Sequence, residues 1–310
     1  MKKFIQRLLL WAAIVYLLAL GVDYMISSGL RKTDIRKYAV WNDIYHKNIH
    51  SDLLVIGSSR AWGGYDTYIL DSILGCNSYN LGLDGHAIDG QVLRYDTYKR
   101  FCPLPANVLI NVDFLSTLGN SSNPQYEREQ FFPYILDDSL FRSVKEQKHI
   151  TSADRYIPFY RYYGYHDEIK NGLLACLGKR EFEDGRMHKG FRGNEYSWSN
   201  GILQTDTVVD VSIDITDLGI ERLMKFINDL KMDDCNVAMI KAPVYASLFS
   251  KMKNVELMDD VFAKVARECD VPLLDYYHIV WSNDSTYFYN PSHLNKKGAE
   301  AFLLSSFLIF

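Results

Sequence analysis

Short apolar runs that are typical of buried strands alternate with longer amphipathic segments along most of this chain of 310 residues. Successive parallel strands need crossover connections, which are usually helices, so this alternation predicts an α/β fold with a parallel sheet. Strands are predicted at residues 52–57, 77–83, 107–112, 236–241 and 271–276, and helices at residues 65–74, 89–101, 217–230, 254–269 and 296–307. Five such strands form a flavodoxin-like, doubly wound layer, whose ligands bind beyond the carboxyl ends of the strands.

The N-terminus carries an uncharged apolar run at residues 8–22. With its flanking residues it reaches about 20 positions as a helix, which matches the roughly 30 Å of a bilayer's hydrocarbon core. A cleaved signal peptide is the alternative, because Lys2, Lys3 and Arg7 precede the run and residues 19–21 resemble a cleavage site. We favour a retained membrane anchor over residues 1–26, because apolar character continues beyond that site.

The anchor predicts where the rest of the chain lies. A long domain behind a first short span most often crosses the membrane, so we expect residues 27–310 to be extracytoplasmic, in the periplasm or at the cell surface. Positive charges at Arg31, Lys32, Arg36 and Lys37 compete with this orientation. The predicted organisation is the anchor, a juxtamembrane linker or helix at residues 27–50, and an α/β domain at residues 51–310.

Charge and cysteine content exclude several classes of function. A net charge of −4 and a pI near 6.1 give no basic surface, so nucleic acid is not an expected partner. The five cysteines are dispersed without a CxxC pair, which favours free thiols over a disulfide framework or a zinc site. His46 and His50 share one helix face but have no carboxylate set beside them. We therefore predict neither a metal site nor a cofactor.

Residues 116–214 interrupt the alternation and form a long insertion between the third and fourth predicted strands. Long insertions at this edge of a sheet are usually lids or binding loops. Residues 155–170 combine aromatic rings with arginines, and such rings suit sugars while arginines suit anions. The alternative is that these aromatic residues only pack the insertion onto the sheet.

Two short motifs carry the chemistry. Ser58, Ser59 and Arg60 follow the first predicted strand, and His293 precedes the last predicted helix. A hydroxyl on a tight turn and a distant histidine are the parts that a serine nucleophile and its general base require. The turn alone also fits a serine that caps a helix, so the distant histidine decides between the two interpretations.

Together these motifs resemble blocks I and V of the SGNH (GDSL-like) hydrolase family, from about residue 52 to the C-terminus, with a poor match in the middle third. The resemblance implies that Ser59 is the nucleophile and His293 the base, with Asn290 in the position of the family's aspartate. Asn290 can still select the useful imidazole tautomer through its carbonyl oxygen. The remaining residues implied at the oxyanion or substrate site are Gly85 from block II, the turn residues Ser58 and Arg60, and Asp113. Val112 stands where the family has an oxyanion-binding asparagine.

Membrane-anchored SGNH relatives, the D-alanyl transfer proteins of teichoic acid and the alginate acetylation proteins, are similar in layout. That resemblance implies an esterase or O-acyltransferase acting on acyl esters of cell-envelope glycans. The implied partners are an acylated glycan or acyl donor, the membrane, and a membrane acyltransferase. Val112 and Asn290 keep a second hypothesis open, in which a degenerate SGNH-like scaffold binds a glycan or an assembly partner without turnover.

Overall fold

The computed structural model describes residues 1–119, 123–179, 187–198, 211–249 and 251–307. These residues form two compact units. The first unit comprises residues 1–42 together with the described residues from 124 to 179. The second comprises the described residues from 43 to 123 and from 187 onward.

A five-stranded parallel sheet forms the centre of the second unit, which confirms the predicted α/β class. Its strands are β1 (Leu53–Ile56), β2 (Ser78–Asn80), β3 (Asn107–Asn111), β4 (Asn236–Lys241) and β5 (Leu273–Asp275). Their spatial order is β2-β1-β3-β4-β5. This is the flavodoxin-like order, with the switch point between β1 and β3.

Burial along the strands follows their positions in the sheet. Only the first residue of β1 and of β3 is not buried, as expected for central strands that helices cover on both faces. The edge strand β5 is only partly buried. Leu53 pairs in register with Ser78 of β2 and with Asn107 of β3, so the carboxyl ends of these strands meet at one edge. That edge holds the candidate site.

Helices alternate with the strands as the sequence predicts, to within a few residues. In chain order they are α1 (Lys2–Leu30), α2 (Arg36–Tyr45), α3 (Ser59–Gly64), α4 (Thr67–Leu74), α5 (Ile88–Phe101), α6 (Asp138–Glu146), α7 (Ser152–Tyr156), α8 (His166–Cys176), α9 (Asp217–Met232), α10 (Ala246–Phe249), α11 (Val255–Glu268) and α12 (Lys296–Phe307). Short 3₁₀ helices lie at Arg128–Tyr134 and Ser285–Tyr287.

Three two-stranded ladders complete the second unit. They pair Met187–His188 with Phe191–Arg192, Val211–Ser212 with Met252–Lys253, and Phe288–Asn290 with His293–Leu294. The last of these is antiparallel, and Asn290 pairs with His293 across it. Two residues at the centre of the candidate site therefore lie on one hairpin.

The first unit is built around α1, which packs against α8. Ile26 and Leu30 of α1 are fully buried, whereas almost every residue from Lys2 to Val22 is exposed. The helix has a mean hydropathy of 2.0 over an 18-residue window that is only 11% buried, so it is long and apolar enough to cross a membrane. A signal sequence meets the same requirement.

Much of the predicted insertion belongs to this first unit. Residues 124–179 cluster with residues 1–42, and residues 120–122, 180–186 and 199–210 of the insertion lie outside the described residues. Aromatic rings supply the packing: Phe131 meets Trp41 edge to face at 5.6 Å between ring centroids, and Phe132 meets Tyr162 at 5.5 Å. These rings account for the clustering, because aromatic pairs bury large apolar areas.

Candidate active site

Ser59 is positioned by the sharp turn that follows β1. Gly57 fits this turn because a Cβ there would lie 2.7 Å from Cβ of Ala61 and 3.0 Å from Cβ of Asn111. Ser58 is the N-cap of α3, with its Oγ accepting a hydrogen bond from the amide of Arg60 at 3.3 Å. Ser59 is thus the first residue of the helix, and Ser58 caps it.

The structure brings Ser59 and His293 together across 234 positions of sequence. Ser59 Oγ lies 2.7 Å from Nε2 of His293. Nδ1 of the same imidazole lies 2.9 Å from Oδ1 of Asn290 and 2.8 Å from Oγ of Ser292. A side-chain amide oxygen can only accept, so the network assigns the hydrogen to Nδ1 and leaves Nε2 free to accept the Ser59 proton.

Asn290 itself is held by a tight local turn. Its Oδ1 also accepts from the backbone amide of Ser292 at 3.0 Å and from the Ser292 hydroxyl at 3.1 Å. The amide oxygen is therefore fixed before it meets the imidazole of His293. This arrangement orients the base as a carboxylate would, but without a negative charge.

The imidazole of His293 sits in a site that disfavours its charged form. Burial, and after it the positive charge of Arg60, lower the pKa of His293 from 6.5 to about 4, against smaller opposing effects of Asp84 and Asp113. The base is therefore neutral at pH 7 and ready to accept a proton. The same surroundings stabilise the imidazolium poorly once it forms.

Arg60 ties the nucleophile's helix to the loop of the base. Its guanidinium donates to the backbone carbonyl oxygens of Ser292 at 2.6 Å, Ala242 at 2.6 Å and Pro243 at 3.1 Å. The side chain is buried and also lies over the ring of Tyr277. Arg60 was expected to contact substrate or the oxyanion, but its two terminal nitrogens donate to the protein backbone, so we interpret it as a positioning residue.

Ser58 and Asp113 form a second buried pair behind the nucleophile. Ser58 Oγ donates to Oδ2 of Asp113 at 2.6 Å, and the other carboxylate oxygen accepts from the amides of Leu115 and Ser116 at 2.9 Å. Asp113 is fully buried. Both residues were also expected at the oxyanion or substrate site, yet these bonds assign them to holding the β1 and β3 turns together.

The expected oxyanion residues lie on the turn after β2 and at the end of β3. Gly85 is exposed and has a φ of +68°, a conformation that favours glycine. The negative charge of Asp84 beside it is one of the smaller effects that oppose the lowering of the pKa of His293 by burial and Arg60. Val112 is buried and apolar, and the Asn111 amide oxygen accepts from Tyr65 at 2.9 Å. Val112 therefore supplies no side-chain donor. The amide nitrogen of Asn111 is buried and has no hydrogen-bond partner among the described residues.

Two aromatic side chains near the pair in sequence were missed by the sequence reasoning, and one of them, Tyr289, contacts the base. The ring of Tyr289 stacks on the imidazole of His293, with 5.2 Å between centroids and 22° between planes. Trp62 follows Ser59 by three residues, and the guanidinium of Arg192 lies over its ring, 5.4 Å from the ring centroid. The position of Tyr289 directly before Asn290 was the signal that could have revealed it. Ser292, which lies between Asn290 and His293, was also missed.

The arrangement contains the parts needed for acyl transfer through a covalent serine intermediate. Ser59 is hydrogen-bonded to a neutral base, and the base is oriented by a third group, which is the geometry of an activated nucleophile. Among the described residues, no group of three or more His, Cys, Asp or Glu side chains is placed to hold a metal ion.

Comparison with known proteins gives distant structural neighbours. No protein-family model matches the chain, and no curated protein matches it significantly. One solved structure, a "putative acylhydrolase" from Bacteroides fragilis, is 10% identical with a TM-score of 0.37, covering 82% of this chain and 85% of that one. Another, a "putative platelet activating factor" from Streptococcus pneumonia, is 13% identical with a TM-score of 0.22, covering 70% of this chain and 98% of that one. At these levels of similarity, functional inference depends on the geometry of the site.

Proposed function

We propose that this chain is a membrane-anchored serine esterase or O-acyltransferase that acts on acyl esters of cell-envelope glycans. The observation that carries the proposal is the continuous chain of contacts from Ser59 through His293 to Asn290, at 2.7 Å and 2.9 Å. An N-cap serine would need no such partner. The glycan and the envelope location rest on the sequence resemblance and on the apolar helix α1.

The proposed reaction uses the side chains in named roles. Ser59 Oγ attacks the acyl carbon while Nε2 of His293 takes its proton, and His293 then returns that proton to the leaving alcohol. The resulting acyl-Ser59 ester is transferred to water or to a sugar hydroxyl, with His293 again acting as the base. The backbone amides of Ser59 and Gly85 are assigned to the oxyanion. The exposed turn that carries Gly85 leaves room for the substrate.

The rings beside the base support a sugar as the substrate. Tyr289 is partly buried and stacks on His293, and Trp62, three residues after Ser59 in the sequence, is partly buried with Arg192 over one face of its ring. Aromatic faces pack against the apolar faces of sugar rings.

A fluorophosphonate probe tests the assignment directly. The purified full-length protein should be labelled at Ser59, as mapped by mass spectrometry of the adduct. Ser59→Ala should abolish labelling, His293→Ala should slow it about 10²- to 10⁴-fold because the general base is lost, and Ser305→Ala on the exposed face of α12 should leave it unchanged. Labelling at Ser58, or equal labelling of wild type and Ser59→Ala, would refute the proposal.

A second candidate function follows from Val112. In the resemblance to the SGNH family, its buried aliphatic side chain stands where the family has a side-chain oxyanion donor. Loss of one such donor costs about 3 kcal/mol of transition-state stabilisation. A scaffold that binds an acylated glycan or an assembly partner without turnover would retain the same fold. In that case wild type, Ser59→Ala and His293→Ala would all react with the probe at one background rate.

A further inference from the structure

The first unit carries a cluster of exposed aromatic and apolar side chains next to α1. They lie in the segment of residues 156–163, which we call the aromatic loop. Tyr156 is 61% exposed, Ile157 and Tyr160 are each 52% exposed, and Tyr163 is 89% exposed. Four large side chains in eight residues are more than the scattered exposure normal for a protein surface, and such a patch marks an interaction site.

Hydrogen bonds fix this loop at a known level of the apolar helix. The hydroxyl of Tyr16 donates to the carbonyl oxygen of Tyr156 at 2.9 Å. The amide of Phe159 donates to the carboxylate of Asp23 at 2.9 Å. The loop therefore runs alongside α1 from the level of Tyr16 to that of Asp23, a rise of about 10 Å at 1.5 Å per residue.

Asp23 marks the boundary of the apolar part of α1. Its carboxylate is 4% exposed and forms a buried ion pair with Arg161, whose guanidinium also donates to Ser27 Oγ at 3.0 Å. Residues 4–22 precede it with a single charge, Arg7, and their length suits one hydrocarbon core. A bilayer around α1 therefore ends near Asp23, and Tyr156 and Ile157 lie up to about 10 Å on its inner side.

Most backbone amides of the aromatic loop form hydrogen bonds within the protein, which suits contact with lipid. Pro158 has no amide hydrogen, and the amides of Ile157, Tyr160, Tyr162 and Tyr163 donate to backbone carbonyls of the first unit, at 2.9, 3.2, 3.0 and 3.2 Å in that order. The amide of Phe159 donates to the carboxylate of Asp23. These five amides are satisfied within the protein, as the hydrocarbon region requires, because an unsatisfied backbone group costs several kcal/mol there. An ordinary surface loop can leave such groups to water.

We propose that the aromatic loop inserts into the lipid headgroup and upper acyl region beside α1, as a second membrane contact of the first unit. Ile157 and Tyr156 would lie at the depth of the upper acyl chains, and Tyr160 and Tyr163 among the headgroups, where amphipathic rings are favoured. The occupant of the patch is therefore the bilayer itself. The inference rests on the anchor part of the proposed function and is independent of the chemistry at Ser59.

Photocrosslinking of the full-length protein in membranes tests this placement. A benzophenone amino acid is introduced as Ile157→p-benzoylphenylalanine or Tyr163→p-benzoylphenylalanine. The same residue is introduced at two control positions. Leu17, 65% exposed on α1, is the positive control, and Tyr68, 64% exposed on α4 in the second unit, is the matched negative control. Adducts formed in native membranes are identified by mass spectrometry as lipid or protein.

We expect lipid adducts at positions 157 and 163 about tenfold above the yield at Tyr68, and comparable with Leu17. Fragmentation should locate the adduct on acyl chains for position 157 and near the glycerol or headgroup for position 163. Lipid adducts at Leu17 but not at 157 and 163 would overturn the proposal and leave the anchor intact. Protein adducts at 157 and 163 would overturn it in favour of a protein partner. No lipid adduct even at Leu17 would overturn the anchor and the loop together.

Discussion

The substitution Asn290→Asp tests how the base is controlled. In the wild type, burial and Arg60 lower the pKa of His293 from 6.5 to about 4. The substitution would place a carboxylate oxygen where the amide oxygen now lies, 2.9 Å from Nδ1, and could keep both bonds from Ser292. An adjacent opposite charge raises a histidine pKa by about 1 to 3 units. The pKa of His293 should therefore rise to about 5 to 7.

Two measurable consequences follow. Only neutral His293 can accept the Ser59 proton, so activity falls as the pH drops through its pKa. The acid limb of kcat/KM should lie near pH 4 in the wild type and near about pH 5 to 7 in Asn290→Asp. The charge also stabilises the imidazolium by about 1.4 kcal/mol per unit of pKa, so the rate on the plateau should rise by at most about tenfold per unit.

The assay is p-nitrophenyl acetate hydrolysis between about pH 3.5 and 8, with His293→Ala as the background. Asn48→Asp makes the same chemical change at an exposed position and should leave the profile unchanged. An acid limb at the same pH in wild type and Asn290→Asp would refute the claim that the side chain at position 290 sets the charge of the base. If the wild type, Asn290→Asp and Asn48→Asp all give the same pH profile as His293→Ala, the scaffold hypothesis is favoured.

Further expectations concern Arg60, Gly57 and topology. Burial, and after it the charge of Arg60, lower the pKa of His293, so Arg60→Gln should move the acid limb above pH 4; an unmoved limb would contradict the contribution of Arg60. Gly57→Ala places a Cβ 2.7 Å from Ala61, so the protein should lose about 1 to 3 kcal/mol of stability and most probe labelling, measured by denaturant unfolding and mass spectrometry. Unchanged values would mean that the turn relaxes freely. If the domain is exported as proposed, alkaline phosphatase fused after Phe310 should be active. An inactive fusion with an active cytoplasmic reporter at the same point would contradict the proposed topology.

The sequence predicted the sheet well because parallel strands leave a local signal. Residues 236–241 were predicted as a strand and form β4 with the same bounds, and the other predicted strands contain the observed ones. Buried central strands are short apolar runs, which a single sequence displays directly. The helix at Ser59–Gly64 was not predicted, since six residues with two glycines show no helical periodicity.

The sequence predicted the nucleophile and the base of the site, but not the contacts that hold them in position. Ser59 and His293 were paired from their residue types and chain order, and they lie within hydrogen-bond distance. The buried roles of Arg60 and Asp113 were not predictable, because their partners include backbone groups that only the folded chain brings near. Likewise, the aromatic residues of the insertion indicate that it packs against something, but the sequence does not say which surface. The sequence therefore did not predict that the insertion clusters with α1.

The turn at Asn290 makes the orientation of the base a local property of the chain. Orienter, supporting hydroxyl and imidazole lie within four consecutive residues, and their bonds cross no other element. Thermal motion of the surrounding helices can therefore stretch the Ser59–His293 bond while the imidazole keeps its tautomer. Activation of the nucleophile then depends on the distance between Ser59 Oγ and His293 Nε2. Arg60, next to Ser59, donates to the carbonyl oxygen of Ser292, next to His293, and so limits that distance.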